Sequence, residues 1–175
     1  DVRVLLRMDA TKALLRGQGG REQVLGVLQE MQRSFGYTSI AIYNADRQVV
    51  ASSPGEFRAP PPPSLWTELQ STDHPRVESD FFPSSDGDTH YDILGAVRDA
   101  DGRLLGAVLA RQEVTRDLFP ELRRWPVQSR TAEVVLARVE PDEAWVLTPL
   151  KGSPRLSYPL RVEVRSDSPV VGVRA

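Results

Sequence analysis

Cysteine is absent from the 175 residues, which excludes disulfides, thiolate metal sites and a cysteine nucleophile. Histidine is scarce: His74 and His90 are the only two, sixteen residues apart. This separation does not give the close spacing that pairs metal ligands on one helix. No Gly-x-Ser-x-Gly elbow is present to hold a serine nucleophile. These absences predict a non-catalytic chain that holds no metal and no cofactor.

Positive charge is not in excess either, because 22 basic side chains face 24 acidic ones and the net charge is -2. Binding to a phosphate backbone needs a cationic surplus, so this balance argues against a nucleic-acid partner. A run of about 18 apolar residues, the length that spans a bilayer, does not occur. The sequence begins in mid-pattern, and we interpret it as part of a longer, membrane-tethered protein.

The first 35 residues show the apolar spacing of helices. Three glycines within residues 17–20 each disfavour helix by about 1 kcal/mol, so a long N-terminal helix broken near this point is predicted. Gly36 predicts the end of the second helical part. The apolar faces of residues 2–15 and 24–35 are expected either to form a homodimer surface or to pack against a sheet of the same chain.

After Gly36 the apolar period changes to that of strands. Strands are predicted at residues 38–43, 48–52, 75–82, 91–97 and 104–112. Asn44–Arg47 and Asp99–Gly102 are rich in turn-forming residues and predict hairpins. A short helix is predicted at residues 64–70, with Ser64 as its N-cap.

This order of elements predicts an α+β fold, a five-stranded antiparallel sheet flanked by helices. Residues 115–125 are expected to form a connecting helix, and a third hairpin is predicted over residues 131–147. The polar tail, residues 151–175, has too little apolar content to make a core by itself. A second sheet is therefore expected to begin and then stop.

Polar and aromatic residues near the middle strands are the candidate ligand-binding set, because small-molecule pockets combine apolar walls with a few convergent polar groups. They are Trp66, Asp80, Phe81, Tyr91, Asp92 and Arg111. The guanidinium of Arg111 is suited to hold a ligand carboxylate through two hydrogen bonds. The alternative is that Arg111 pairs with a nearby aspartate and that Trp66 fills the core.

Several segments resemble one family. Ser79–Phe81 and Ile93–Leu109 resemble the last strands of a Cache (PAS-like, periplasmic) module. Leu118–Pro126, continued by Ser129–Leu136, resembles the junction into the second module of double-Cache sensors of bacterial histidine kinases and diguanylate cyclases. Gly36–Ile42 is similar to the family's exit from the long N-terminal helix into the first strand.

The resemblance implies a helical stalk at residues 1–35, a membrane-distal PAS-like sensor module at 36–118, and a connecting helix with the start of an incomplete second module at 119–175. It implies a periplasmic domain of an inner-membrane receptor, chiefly a sensor histidine kinase. Such a domain detects a small ligand or a partner, passes a conformational signal inward and forms a homodimer through its N-terminal helix. A cytoplasmic PAS- or GAF-like regulatory domain is the alternative.

The sequence departs from the family at two points. A complete second module needs more strands than the sequence supplies before Ala175. The aromatic-Arg-Trp-Tyr series of the amino-acid-binding members is also incomplete. The resemblance therefore does not carry over a ligand identity, and the six candidate residues rest on strand placement alone.

Overall fold

The computed structural model describes residues 2–54, 60–72, 74–79, 81–83, 88–115, 118–124, 134–139, 143–148 and 160–163. The chain forms two compact units. The first contains Asp1–Asp80 and Tyr91–Glu113, and the second contains Phe81–His90 and Val114–Ala175. The predicted division at residues 35 and 118 stays a prediction about domain organisation.

Three helices open the first unit: α1 (Arg3–Arg7), α2 (Asp9–Leu15) and α3 (Arg21–Phe35). The break predicted near residues 17–20 is confirmed, and Gly20, with φ of 85°, immediately precedes α3. Gly36 ends α3 with φ of 70°, a left-handed conformation that glycine adopts without steric cost. A second break was not predicted: Met8 is extended, with ψ of 126°, and separates α1 from α2.

The strands are β1 (Ser39–Asn44), β2 (Val49–Ser52), β3 (Arg76–Glu78), β4 (Phe82–Pro83), β5 (Thr89–Arg98) and β6 (Leu104–Glu113). The main sheet has the order β2-β1-β6-β5-β3, which confirms the predicted α+β class and five-stranded antiparallel sheet. β4 pairs with the first two residues of β5. The pairing of β1 with β6 runs from Ser39 opposite Arg111 to Asn44 opposite Gly106.

The two predicted hairpins of the sheet have the same turn chemistry. The Asn44 side chain accepts a hydrogen bond from the Gln48 amide at 2.9 Å, and Asp99 accepts one from the Arg103 amide at 2.8 Å. Each turn then contains a left-handed residue, Arg47 with φ of 63° or Gly102 with φ of 80°. A short polar side chain at the start of each turn therefore holds both loops.

One helix, α4 (Pro63–Ser71), follows β2 and confirms the predicted helix, but its N-cap was predicted wrongly. The N-cap position is Pro62 rather than Ser64, and it makes no side-chain capping bond. Pro63 takes the first helical position, where its fixed φ suits the helix and its missing amide leaves no donor unpaired.

The N-terminal helices cover one face of the sheet. Their buried side chains are Val2, Leu5, Leu6, Val24, Leu28 and Met31. They share a core with sheet residues Ile40, Ile42, Ala51, Val97, Val108 and Ala110. The apolar faces that the sequence left open between a homodimer and the same chain are thus used within the chain. A homodimer through the N-terminal helix stays a prediction.

Two neighbouring side chains of α1 test this packing. Leu5 is 0% exposed and Val4 is 59% exposed. We expect Leu5→Ala to lower the free energy of unfolding by roughly 3 kcal/mol because it leaves a cavity, whereas Val4→Ala should change it by less than about 0.5 kcal/mol. Urea denaturation followed by circular dichroism measures both. A midpoint that rises with protein concentration would instead indicate that Leu5 packs between subunits.

The second unit contains α5 (Leu118–Arg124) and a sheet of β7 (Ala137–Val139), β8 (Glu143–Val146) and β9 (Leu160–Glu163), in the order β7-β8-β9. The guanidinium carbons of Arg138 and Arg161 lie 5.5 and 5.8 Å from the centroid of the Trp145 ring. β7 and β8 confirm the third hairpin, but β9 was not predicted. It is only four residues long, and its place comes from pairing with β8.

Candidate functional site

The face of the sheet beneath α4 carries the candidate residues. Strand alternation places Tyr43, Leu94, Ala96, Ala107 and Leu109 on this face. These residues share a core with Leu65, Trp66 and Leu69 of α4. Two further residues continue the same alternation at the end of this apolar layer: Asp92, two positions before Leu94, and Arg111, two positions after Leu109.

Asp92 and Arg111 form a bidentate ion pair across β5 and β6. The Nε of Arg111 donates to Oδ1 of Asp92, and its Nη2 donates to Oδ2, both at 2.7 Å. The Arg111 side chain is 6% exposed and that of Asp92 is 0% exposed. Each charge is stabilised by the other, because burial has removed the solvation that both had in the unfolded chain.

Two aromatic residues stand on the same face. The rings of Tyr43 and Trp66 meet edge to face at 5.8 Å, and Trp66 is only 2% exposed. Burial raises the pKa of the Tyr43 hydroxyl above its ordinary value; the positive charge of Arg111 lowers this pKa and the negative charge of Asp92 raises it. Tyr43 therefore lies within the electrostatic field of the ion pair.

Tyr43 is not among the six candidate residues that the sequence predicts. It occupies a β-rich run and looks like an ordinary strand residue, so only its alternation with Ala41 pointed to a shared face. The pairing of β1 with β6 sets Tyr43 opposite Ala107 and Ser39 opposite Arg111, so Tyr43 and Arg111 share a face although these strands lie about sixty residues apart in the sequence. That pairing was not predicted in the sequence.

Of the six predicted residues, Trp66, Asp92 and Arg111 lie on the face beneath α4. Tyr91 precedes Asp92 on β5, so its side chain points to the opposite face, where its hydroxyl donates to Glu78. Burial, and then this hydrogen bond, raise the pKa of Tyr91. Phe81 is partly buried and belongs to the second unit. Asp80 lies outside the described residues.

The described residues contain no group of three His, Asp or Glu side chains that could hold a metal ion. Within the same residues, no helix has both the length and the apolar content needed to cross a membrane. The described site thus consists of the buried Arg111–Asp92 pair and two aromatic side chains, Tyr43 and Trp66, on the same face of the sheet.

Comparison by sequence finds no match, either to a protein-family model or to a curated protein. Comparison by structure finds several. The ligand-binding domain of the Campylobacter jejuni chemoreceptor Tlp3, solved with L-valine, is similar at a TM-score of 0.55 and 14% identity, over 71% of this chain and 54% of that one. This chain thus spans about half the length of that domain.

The sensor domain of the Vibrio cholerae histidine kinase DctB is similar at a TM-score of 0.50 and 10% identity, over 85% of this chain and 76% of that one. A domain of a putative sensory box/GGDEF family protein from Vibrio parahaemolyticus is similar at a TM-score of 0.55 and 9% identity, over 85% of this chain and 80% of that one. At these identities the likeness concerns the fold. The chain therefore has the fold of the Cache-type sensor domains of bacterial chemoreceptors, histidine kinases and GGDEF proteins.

Proposed function

We propose that this chain is the extracytoplasmic sensor domain of a membrane signal-transduction receptor, chiefly a sensor histidine kinase. The likeness of its fold to solved sensor domains supports this function, and one of those domains belongs to a histidine kinase. In the full-length receptor, hydrophobic segments of about twenty residues would tether the domain to the inner membrane. The domain itself would bind and transmit, without catalysis.

The observation that carries the proposal is the buried ion pair of Asp92 and Arg111. A buried pair of this kind is seldom needed for stability, since apolar side chains of similar volume serve as well or better. A role in recognition accounts for its presence. We therefore propose Arg111, Asp92, Tyr43 and Trp66 as the ligand-binding residues.

The chemistry of the pair suggests the ligand class. A ligand with a carboxylate and an ammonium group offers Arg111 a new anion and Asp92 a new cation, so exchange would leave no buried charge unpaired. An amino acid has both groups. The Tlp3 domain was solved with L-valine. The ligand-binding domain of the Pseudomonas fluorescens chemoreceptor CtaA, which is similar to this chain at a TM-score of 0.53, was solved with L-leucine.

Entry of such a ligand would couple binding to movement. Asp92, Arg111 and Trp66 are almost fully buried, so a ligand that separates the pair must also displace the side chains that cover it. A ligand shifts a receptor only by binding one arrangement better than another. Here the closed arrangement with the internal pair and an opened arrangement with ligand are the two states.

Thermal unfolding in the presence of amino acids, carboxylates and polyamines tests the proposal. A ligand at about 100 times its dissociation constant stabilises the folded state by roughly 2.7 kcal/mol, which raises the melting temperature by roughly 5–10 °C for a chain of this size. We expect this shift from at least one amino acid. No shift from any compound would contradict the proposed ligand class.

The double variant Asp92→Leu/Arg111→Met is the matched control for the site. It keeps the volume of the pair and removes both charges, so the ligand-induced shift should disappear while the domain stays folded. Arg33→Gln removes an exposed arginine of α3 and should leave the shift unchanged. A ligand that stabilises the double variant as strongly as the original protein binds elsewhere and would refute the assigned residues.

A further inference from the structure

A cleft of about 250 Å³ opens beside the end of β5, away from the Asp92–Arg111 pair. The described residues that line it are Arg3, Leu6, Arg7, Pro75, Ala96 and Arg98. β3 begins at Arg76, which pairs with Gly95, so the last residues of β5 have no β3 residue beside them. The amide of Ala96 donates to the Pro75 carbonyl at 2.8 Å, and the cleft forms next to this last contact.

Among the described residues that line the cleft, three are arginines and none is acidic. Arg3 and Arg7 stand four positions apart on α1, so their side chains share one side of the helix. Arg98 adds a third positive charge from β5. This concentration of positive charge occurs in a chain whose net charge is -2.

Arg98 is held in place by the protein itself. Its Nη1 donates to the Gly102 carbonyl at 3.1 Å and its Nη2 donates to the Leu69 carbonyl at 3.2 Å. A guanidinium has five N–H donors, so three remain for another acceptor. A guanidinium held by two backbone carbonyls loses little further freedom when it binds an anion.

The remaining lining is apolar. Leu6 and Ala96 are buried core residues, and Pro75 adds a ring carbon surface beside them. The volume is larger than the roughly 150 Å³ cavity that accepts benzene, and below the range of about 300–1,000 Å³ for drug-sized ligands. The cleft therefore suits a small ligand with an anionic head and a short apolar body.

We propose that this cleft is a second binding site, which holds a phosphate monoester by Arg3, Arg7 and Arg98. A phosphate monoester carries about -1.5 to -2 charges at pH 7 and three acceptor oxygens, which match three guanidinium groups better than a single carboxylate does. Arginine is also the side chain that pairs best with phosphate geometry. The ester's organic part would contact Leu6, Pro75 and Ala96.

Isothermal titration with phenyl phosphate at low ionic strength and pH 7.5 tests the proposal. We expect one site per chain, with phenyl phosphate binding more tightly than inorganic phosphate because its ring covers apolar surface. The variant Arg3→Gln/Arg7→Gln should weaken binding by at least about tenfold, which corresponds to about 1.4 kcal/mol. Both arginines are exposed, so the substitution should leave the fold intact.

The matched control is Arg16→Gln/Arg33→Gln, which removes the same number of exposed positive charges outside the cleft. It should bind phenyl phosphate like the original protein. Equal weakening in both variants would reduce the effect to net charge and overturn the proposal. The proposal is also overturned if phenyl phosphate binds no better than inorganic phosphate while both bind, or if phenyl phosphate, inorganic phosphate and phosphatidic acid vesicles all fail to bind.

The source of the phosphate is distinguished by a vesicle arm. Phosphatidic acid vesicles present the same monoester at a membrane surface, and phosphatidylcholine vesicles serve as the control. Co-sedimentation with phosphatidic acid alone, lost in Arg3→Gln/Arg7→Gln and retained in the control variant, would assign the cleft to a lipid headgroup. Binding of phenyl phosphate without vesicle binding would assign the cleft to a soluble ester. Binding of neither would overturn the proposal.

Discussion

Replacing Asp92 with alanine is expected to lower the free energy of unfolding by about 3–5 kcal/mol. The substitution leaves the Arg111 guanidinium in a position where only 6% of its side chain reaches solvent. A charge that has lost both its water and its partner is one of the few causes of so large an effect from a single substitution. Urea denaturation followed by far-UV circular dichroism measures the loss.

The double variant Asp92→Leu/Arg111→Met tests whether the loss of stability in Asp92→Ala comes from the unpaired charge of Arg111. With both charges removed, the stability should return to that of the original protein or exceed it by about 1–4 kcal/mol, because no desolvated charge remains. Such recovery is the signature of coupling between two contacting residues. Arg33→Ala, at an exposed ion pair with Glu30, should cost less than about 1 kcal/mol. A small loss for Asp92→Ala alone would show that the buried pair does not form.

Replacing Trp66 with alanine should destabilise the domain by about 3–5 kcal/mol, the usual range for a large aromatic residue removed from a core. Trp66 is 2% exposed, and its ring meets that of Tyr43 at 5.8 Å. The substitution removes this contact and leaves a cavity between α4 and the sheet. Thermal and urea unfolding both measure the effect.

Two further variants of α4 sharpen the result. Trp66→Phe keeps an aromatic ring against Tyr43 and should lose much less stability than Trp66→Ala. Gln70→Ala replaces an exposed residue of the same helix and should change the stability by less than about 0.5 kcal/mol. If Gln70→Ala costs as much as Trp66→Ala, the effect lies in the helix rather than in the core beneath it.

Local elements were largely predictable because their causes lie within a few residues. α3 lies between two left-handed glycines, and the turns at Asn44 and Asp99 each form around a single polar side chain. The errors arose where local signals were weak or competed. Ser64 suited an N-cap, but Pro63 suits the first helical position better, and β9, with four residues, is too short to give a clear strand pattern.

The candidate site was predictable only in part. Alternation placed Arg111 at the end of an apolar strand face, and the sequence allowed either a ligand or a nearby aspartate as its partner. The structure pairs it with Asp92, nineteen residues earlier. Tyr91 and Asp92 are neighbours in sequence, yet they face opposite sides of the sheet, so closeness along the strand did not imply a shared site.

The sequence by itself determined the α+β class, the two hairpins of the sheet and the absence of cysteine chemistry, because these follow from composition and short-range pattern. The tertiary structure decided that β1 lies beside β6, that Tyr43 comes near the Arg111–Asp92 pair, and that α1–α3 pack against their own sheet. These outcomes depend on which surfaces meet when the whole chain buries its apolar area, and many distant residues share in that choice.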